Sequence, residues 1–269
     1  MKEIVLTLKK ESKVPLEAEL ISPDSFSGKE LNEIANLTAW HGNKKIKLGD
    51  FFKAEGEPSD KPEDLHIIVK GDASKVKWIG KRMTSGKITI AGNAGMHVGA
   101  EMYGGEITVE GDAESWAGTE LHGGLLHIKG NAGDYVGAVY RGEWRGMKEG
   151  LIVVEGNVGN ELALWMMGGR IIVKGGAGLF AAAHLRGGTV LIHGNIGRFL
   201  GAEMKKGTVV ALGNLESLLP GFKFNEETPL LKLDDEEELK GPFLRFMGDL
   251  AENGKGELYL LKEKNKHII

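Results

Sequence analysis

From Gly71 to Gly213 the chain repeats one glycine-punctuated unit: GNAGMHVGAEMYGGEITVE from Gly92, GDAESWAGTELHGGLLHIK from Gly111, GGAGLFAAAHLRGGTVLIH from Gly175. Leading glycines stand at Gly71, Gly92, Gly111, Gly130, Gly156, Gly175, Gly194 and Gly213. The spacing is therefore 19 residues, interrupted by one interval of 21 and one of 26. A unit this short cannot bury an apolar face alone, but stacked copies bury a continuous one, so the period demands a repeat architecture.

Each unit carries two alternating apolar runs. The first sets Val98, Ala100 and Met102 on one face, then Val136, Ala138 and Tyr140, then Leu200, Ala202 and Met204. The second sets Ile107 and Val109, Leu126 and Ile128, Ile152 and Val154, Ile171 and Val173, Val190 and Ile192, and Val209 and Ala211. Period two is a strand signal, and the glycines between the runs, often doubled as in Gly104-Gly105 and Gly187-Gly188, allow the sharp turns. Strands one period apart would pair in parallel and in register. The expected fold class is all-β: a parallel β-helix of about seven 19-residue coils, right-handed because parallel crossovers are.

Two outward rows bear on this register. Glu110, Lys129, Glu155, Lys174 and His193 fall at one offset, so that like charges never stack. Two residues earlier the row reads Thr108, His127, Val153, Ile172, Leu191, Val210. Its last four members are large and apolar on a face turned from the core, so something must cover them.

The period sets three expected domains. Residues 1–64 form a small α+β lobe, with a strand in MKEIVLTL, a helix in SGKELNEIANL opened by Ser27 and presenting Leu31, Ile34 and Ala35, and a strand in KKIKLGDFFKAEG. Residues 65–213 form the coils, with the insertion behind the 26-residue spacing placed within 142–150. Residues 214–269 form a C-terminal cap that blocks the last coil or lies along the apolar row. In it Pro220 and Pro229 disfavour regular pairing, the acidic run Asp234 to Glu238 precedes a helix over GPFLRFMGDLAENG with Pro242 in its first turn and Gly254 at its end, and ELYLL adds a strand.

Composition excludes several classes. The chain has no cysteine, which removes disulfides, thiolate zinc and cysteine-held iron–sulfur clusters. A net charge of -4 argues against a nucleic-acid binder. The start lacks the apolar core of a signal peptide and no run approaches a membrane span, so a cytoplasmic chain is expected.

Candidate chemistry is sparse. His97, His122, His127, His184 and His193 fall at five different offsets and do not converge as metal ligands. Glu101 and Glu120 share an outward offset in adjacent units, where paired carboxylates would raise one pKa, but Val139, Trp165 and His184 continue the row. GNAGMHVG is not followed by a helix and fails the phosphate-loop condition. The insertion GEWRGMKEG carries Trp144, Arg145 and Met147, residue types that anchor partners. With Val153, Ile172, Leu191 and Val210 they form the candidate partner interface; no catalytic, cofactor-binding or metal residue is assigned.

The pattern G-x-E-M-x-x-G-x-I-x-V-x-G, clearest in GAEMYGGEITVEG from Gly99, resembles the C subunit of formylmethanofuran dehydrogenase across the whole chain, and more loosely the glycine-repeat C-terminal domain of the glutamate synthase large subunit. The resemblance implies a non-catalytic subunit of a cytoplasmic oxidoreductase complex of methanogenic archaea, which reduces CO2 and forms N-formylmethanofuran with electrons from iron–sulfur proteins. It implies that tungsto- or molybdopterin, [4Fe-4S] clusters and a binuclear metal site belong to other subunits: pterin-metal, iron–sulfur and amidohydrolase-like. Competing readings are a stand-alone β-helix enzyme acting on polysaccharide, a hexapeptide-repeat acyltransferase, whose six-residue period is absent, and a glutamate-synthase-type domain.

Overall fold

The computed structural model describes residues 1–10, 12–233 and 238–269, so Asp234 to Glu237 of the acidic run lie outside the described residues. Strand β1 (Lys2–Leu8) buries Ile4 and Leu6 completely. After β2 (Leu16–Glu17), helix α1 (Pro23–Phe26) is capped by the Ser22 hydroxyl, which accepts from the Ser25 N–H. Helix α2 (Leu31–Ala35) is opened by Glu30, not Ser27: the Glu33 carboxylate accepts from the Glu30 N–H at 2.8 Å, while Ser27 closes α1. Ile34 is buried, with Leu31 and Ala35 half-buried beside it. The one strand expected over KKIKLGDFFKAEG is two, Lys44–Lys47 and Phe52–Gly56, split by a 3-10 turn at Leu48–Asp50. Strands β3 (Thr38–His41) and β4 (Lys44–Lys47) form a hairpin; β5 (Phe52–Gly56) runs antiparallel to β1.

The second run of each repeat is a strand, as its periodicity predicts. These are β6 (Leu65–Lys70), then, after the short β7 (Val76–Lys77) that joins β2, β3 and β4 in a separate sheet, β8 (Lys87–Ala91), β9 (Glu106–Val109), β10 (Leu125–Ile128), β11 (Leu151–Val154), β12 (Arg170–Val173), β13 (Thr189–Ile192) and β14 (Thr208–Ala211). Each pairs in parallel with the next, one period on: Ile107 faces Leu126, Leu126 faces Ile152, Ile171 faces Val190. The inward rows through Ile107 and Val109 are fully buried from Ile4 and Leu6 to Leu258 and Leu260. A second line of parallel bridges runs through Ala73, Ala94, Ala113, Ala132, Val158, Ala177, Ile196 and Leu215.

The first run departs from expectation because it is not a strand. Val98, Ala100 and Met102 are buried, yet His97, Gly99 and Glu101 between them have φ of 66°, 65° and 56°. The backbone curls instead of extending, and still bonds unit to unit: the His97 N–H donates to Ser115 O at 3.1 Å, the Gly99 N–H back to Ile79 O at 2.9 Å. Its polar groups are thus satisfied without a β ladder. Since strict alternation is lost, Tyr140 and Ala202 are only half-buried, not core residues.

The C-terminal helix read from Pro242 and Gly254 is also replaced. Strands β15 (Lys223–Lys232), β16 (Glu238–Gly248) and β17 (Gly256–Leu261) are antiparallel to one another in sequence, and β17 pairs in parallel with β14. Strand β17, expected from ELYLL, continues the ladder one step beyond the last repeat, and its other edge is paired by β16. Leu244 and Phe246 bury one face of β16 and Phe243 the other, so its apolar residues serve a two-faced strand. Pro229 sits in β15, the edge strand, at the register shift between Thr228 and Leu230, where a missing donor is tolerated.

Candidate functional site

The apolar outer row is covered at its far end by the chain itself. Leu191 and Val210 are buried under Leu231, Phe243 and Tyr259, and the half-buried Ile172 packs against the same cluster. Val153, one strand nearer the start, is half-buried. The basic head of Arg245 fixes the hairpin over this row by ion pairs to Glu226 and Glu257, and Tyr259 donates to Glu257 at 2.9 Å. Burial, then that bond, pushes the Tyr259 phenol up to about 12. A charge at Leu191 would therefore report how the hairpin is anchored.

The insertion separates its three candidates. Trp144 is 62% exposed and Arg145 is exposed, but Met147 is fully buried. Met147 belongs to a core column with Met83, Met102, Leu121, Met166, Leu185 and Met204, each three residues before the turn glycine of its unit. The extra residues precede it, and the Gly146 N–H donates to Trp165 O at 2.9 Å, laying the tip beside the next unit.

The positive-φ residues of the first run carry a feature that their types alone do not announce. Trp78, His97, Trp116 and Tyr135, one per unit, form a column of rings with centroids 4.0, 6.1 and 4.0 Å apart. Tyr140 fits beside it, 5.4 Å from Trp116, its hydroxyl 3.2 Å from His97 Nδ1. His122 stacks on Tyr103 at 4.4 Å and His184 on Trp165 at 4.4 Å, while His127 meets Glu155 at 3.0 Å. Among the described residues no three of His, Asp or Glu converge as a metal site.

The carboxylates lie next to this column. Glu101 accepts from Arg82 Nε at 2.6 Å and lies 3.8 Å from Lys81, whose ammonium sits over the Trp78 ring. Glu120 accepts from the Tyr140 N–H at 3.2 Å. Burial pushes the Glu120 carboxyl up, opposed by that bond and reinforced by Glu101 and Glu143. The surface here offers rings and ion pairs; a cavity of about 170 Å³ lies elsewhere, where Leu8, Ser12, Leu16 and Phe51 meet the segment from Asp72 to Val76. Such an arrangement is suited to stacking and pairing against another surface.

Comparison with known proteins assigns the family. The model of the GXGXG motif matches residues 71–239. The C subunit of the tungsten-containing formylmethanofuran dehydrogenase 2 of Methanococcus maripaludis is 50% identical over 275 residues, covering 100% of both chains. The chain belongs to the family of formylmethanofuran dehydrogenase C subunits. The namesake of that relative from Methanothermobacter wolfeii is 52% identical over 99 residues, and the match spans 37% of its length. The C subunit of the molybdenum-containing formylmethanofuran dehydrogenase 1 of Methanosarcina barkeri is 46% identical over 98 residues, 33% of its length. Among solved structures, the formyltransferase/hydrolase complex (FhcABCD) from Methylorubrum extorquens in complex with methylofuran contains a chain that superposes with a TM-score of 0.83 at 28% identity, covering 95% of this chain and 98% of that one. Among the described residues no helix is long and apolar enough to cross a membrane.

In this member of the C-subunit family the ring column makes a testable pH signature. Burial lowers His97 to about 4 from 6.5, and Lys77 and Lys81 act in the same direction. Between those values the unfolded chain binds a proton that folded His97 refuses, so stability falls as pH drops through the window. One proton contributes at most ~1.4 kcal/mol per pH unit, and less for a half-buried ring. In thermal melts between pH 7 and 4, His97→Gln is expected to flatten this slope; parallel slopes for both chains would refute a neutral His97.

Proposed function

We propose that this chain is a non-catalytic structural subunit of a formylmethanofuran dehydrogenase complex, which reduces CO2 and forms N-formylmethanofuran. The observation that carries the reading is the full-length identity with the Methanococcus maripaludis C subunit. The one-period parallel register supports the finer architecture, a right-handed parallel β-helix over residues 65–213 between a lobe of residues 1–64 and a cap of residues 214–269. With no cysteine the chain has no thiolate for an iron–sulfur cluster; as the family resemblance implies, the clusters, the tungsto- or molybdopterin and the binuclear metal belong to pterin-metal, iron–sulfur and amidohydrolase-like partner subunits. The complex works in the cytoplasm, and Trp144, Arg145 and Val153 are the members of the candidate interface that remain open to a partner.

The test is anaerobic purification through a tag on this chain, with mass spectrometry of the proteins that accompany it and an assay of formylmethanofuran oxidation. Co-purification of a pterin-metal subunit with activity is expected, and Trp144→Asp should lower the yield of partners several-fold without changing the melting temperature of the isolated chain. A chain that emerges alone, without activity, would overturn the reading.

A further inference from the structure

Basic residues are unevenly chosen along this chain. Residues 141–198 hold five of the seven arginines, Arg141, Arg145, Arg170, Arg186 and Arg198, but only two of the 27 lysines, Lys148 and Lys174. Lysine is depleted and arginine, aromatics and methionine enriched where a protein surface is desolvated against another, because the guanidinium sheds water more readily and stacks on rings. The same stretch exposes its apolar side chains: Met167 is 40% exposed, Leu179 41% and Phe180 39%.

The geometry joins these features into one patch. Phe180 stacks on Phe199 at 4.5 Å and Trp165 on His184 at 4.4 Å, side by side in consecutive units. The Arg198 guanidinium lies 5.0 Å over the Phe199 ring, and that of Arg186 lies 4.4 Å over Trp165. The hydrogen bond from the Gly146 N–H to Trp165 O brings the insertion tip to the edge of the patch. Each guanidinium is held at its face by a ring and has one N–H in use, Arg186 Nη1 donating to Glu203 O at 2.9 Å and Arg198 Nε lying 4.0 Å from the exposed Glu216, so that its remaining N–H groups can take a carboxylate from another surface. The patch's own carboxylates are engaged: Glu161 accepts from Tyr135 at 3.2 Å, and Glu203 lies 3.4 Å from His184. The stretch 141–198 carries seven basic residues against four acidic, Glu143, Glu149, Glu155 and Glu161, in a chain of net charge -4.

We propose that the face built from Trp165, Met167, Leu179, Phe180, Arg186 and Arg198 docks a different protein subunit, one that sets an apolar centre on these rings and carboxylates against the two stacked arginines. The inference rests on the reading that the chain works in a multi-subunit complex, and names the surface and the chemistry of the partner. A second copy of the same face fits poorly, since it brings arginines to arginines and offers carboxylates that are already held.

The experiment uses the complex purified through a tag on this chain. With Arg186→Glu and Arg198→Glu together, recovery of one partner subunit is expected to fall at least tenfold at unchanged melting temperature of the isolated chain, and weak recovery to worsen with Phe180→Asp. In a separate variant, Arg198→Lys, carbodiimide should join the new amine to an aspartate or glutamate of the same partner, a cross-link absent from wild type. If the double Glu variant keeps all partners and Arg198→Lys gives no cross-link, this face is overturned while the scaffold reading stands. If the wild-type chain emerges alone, both fall; if it emerges as a dimer of itself with cross-links between copies, the different-subunit assignment is wrong.

Discussion

Replacing Asn265 with alanine is expected to remove about 3–5 kcal/mol of stability, since it strands several buried polar groups that normally cost about 1–3 kcal/mol each when left unpaired. In a stack of repeats each unit satisfies the backbone of the one before: the Ile196 N–H donates to Asn214 O, and Gly175 O accepts from the Gly194 N–H. After the last repeat no unit follows. The fully buried Asn265 amide takes its place, with Oδ1 accepting from the Leu215 N–H at 2.8 Å and Nδ2 donating to Gly213 O at 3.0 Å and Leu261 O at 2.9 Å. One side-chain amide thus imitates the peptide group of a missing unit. Asn265→Asp keeps the shape but presents acceptors to two carbonyls, so it is expected to be no better than alanine at neutral pH and to regain stability as acid restores a donor. Denaturant midpoints for both variants check this; an aspartate variant as stable as wild type at pH 7 would show that the amide donors contribute little.

The parallel ladder is legible in sequence because its physics is local and repeated. Ile107, Leu126, Ile152 and Ile171 recur at one offset, and only in-register stacking puts them all inside. The first run misleads because alternation of Val98, Ala100 and Met102 says which residues are buried, not whether the backbone between them is extended; His97 and Glu101 adopt left-handed φ without being glycine, which neighbouring units impose through hydrogen bonds. Met147 is placed correctly by counting back from the turn glycine Gly150 instead of forward from Gly130, since Met102, Met166 and Met204 stand at that same distance from Gly105, Gly169 and Gly207. The ring column Trp78, His97, Trp116, Tyr135 is likewise present as a repeat offset but hidden among mixed residue types. In GPFLRFMGDLAENG the helix signals Pro242 and Gly254 are real, yet the edge of β17 that would stand open without β16, and two apolar surfaces to cover, favour a strand. That edge is a property of the assembled ladder, which no window of sequence contains.

Gly175→Ala should be among the most damaging small substitutions in the repeats, and its cause is distance, not backbone freedom. Its φ lies outside the left-handed region, so alanine has no torsional objection. A Cβ built there, however, would lie 2.5 Å from Gly156 O and 2.6 Å from Gly156 C and Asn157 Oδ1. Adjacent strands of a sheet stand about 4.8 Å apart. A methyl group on the facing side can be accommodated only by prying two units apart, which breaks the bond from the Gly175 N–H to Gly156 O at 3.0 Å and strains the Asn157 Oδ1 contact to the Gly176 N–H at 2.8 Å. Because Gly175 lies mid-stack, neither end can fray to relieve it, so the expected loss is about 3–5 kcal/mol, beyond the usual ~1–3 for overpacking because the obstacle is backbone. Gly142→Ala makes the contrast: its φ is 95° but no atom lies within 4 Å of its Cβ, so only the torsional cost of about 1–2 kcal/mol applies. If the two variants melt alike, close approach between units is not what reserves the leading position of each repeat for glycine.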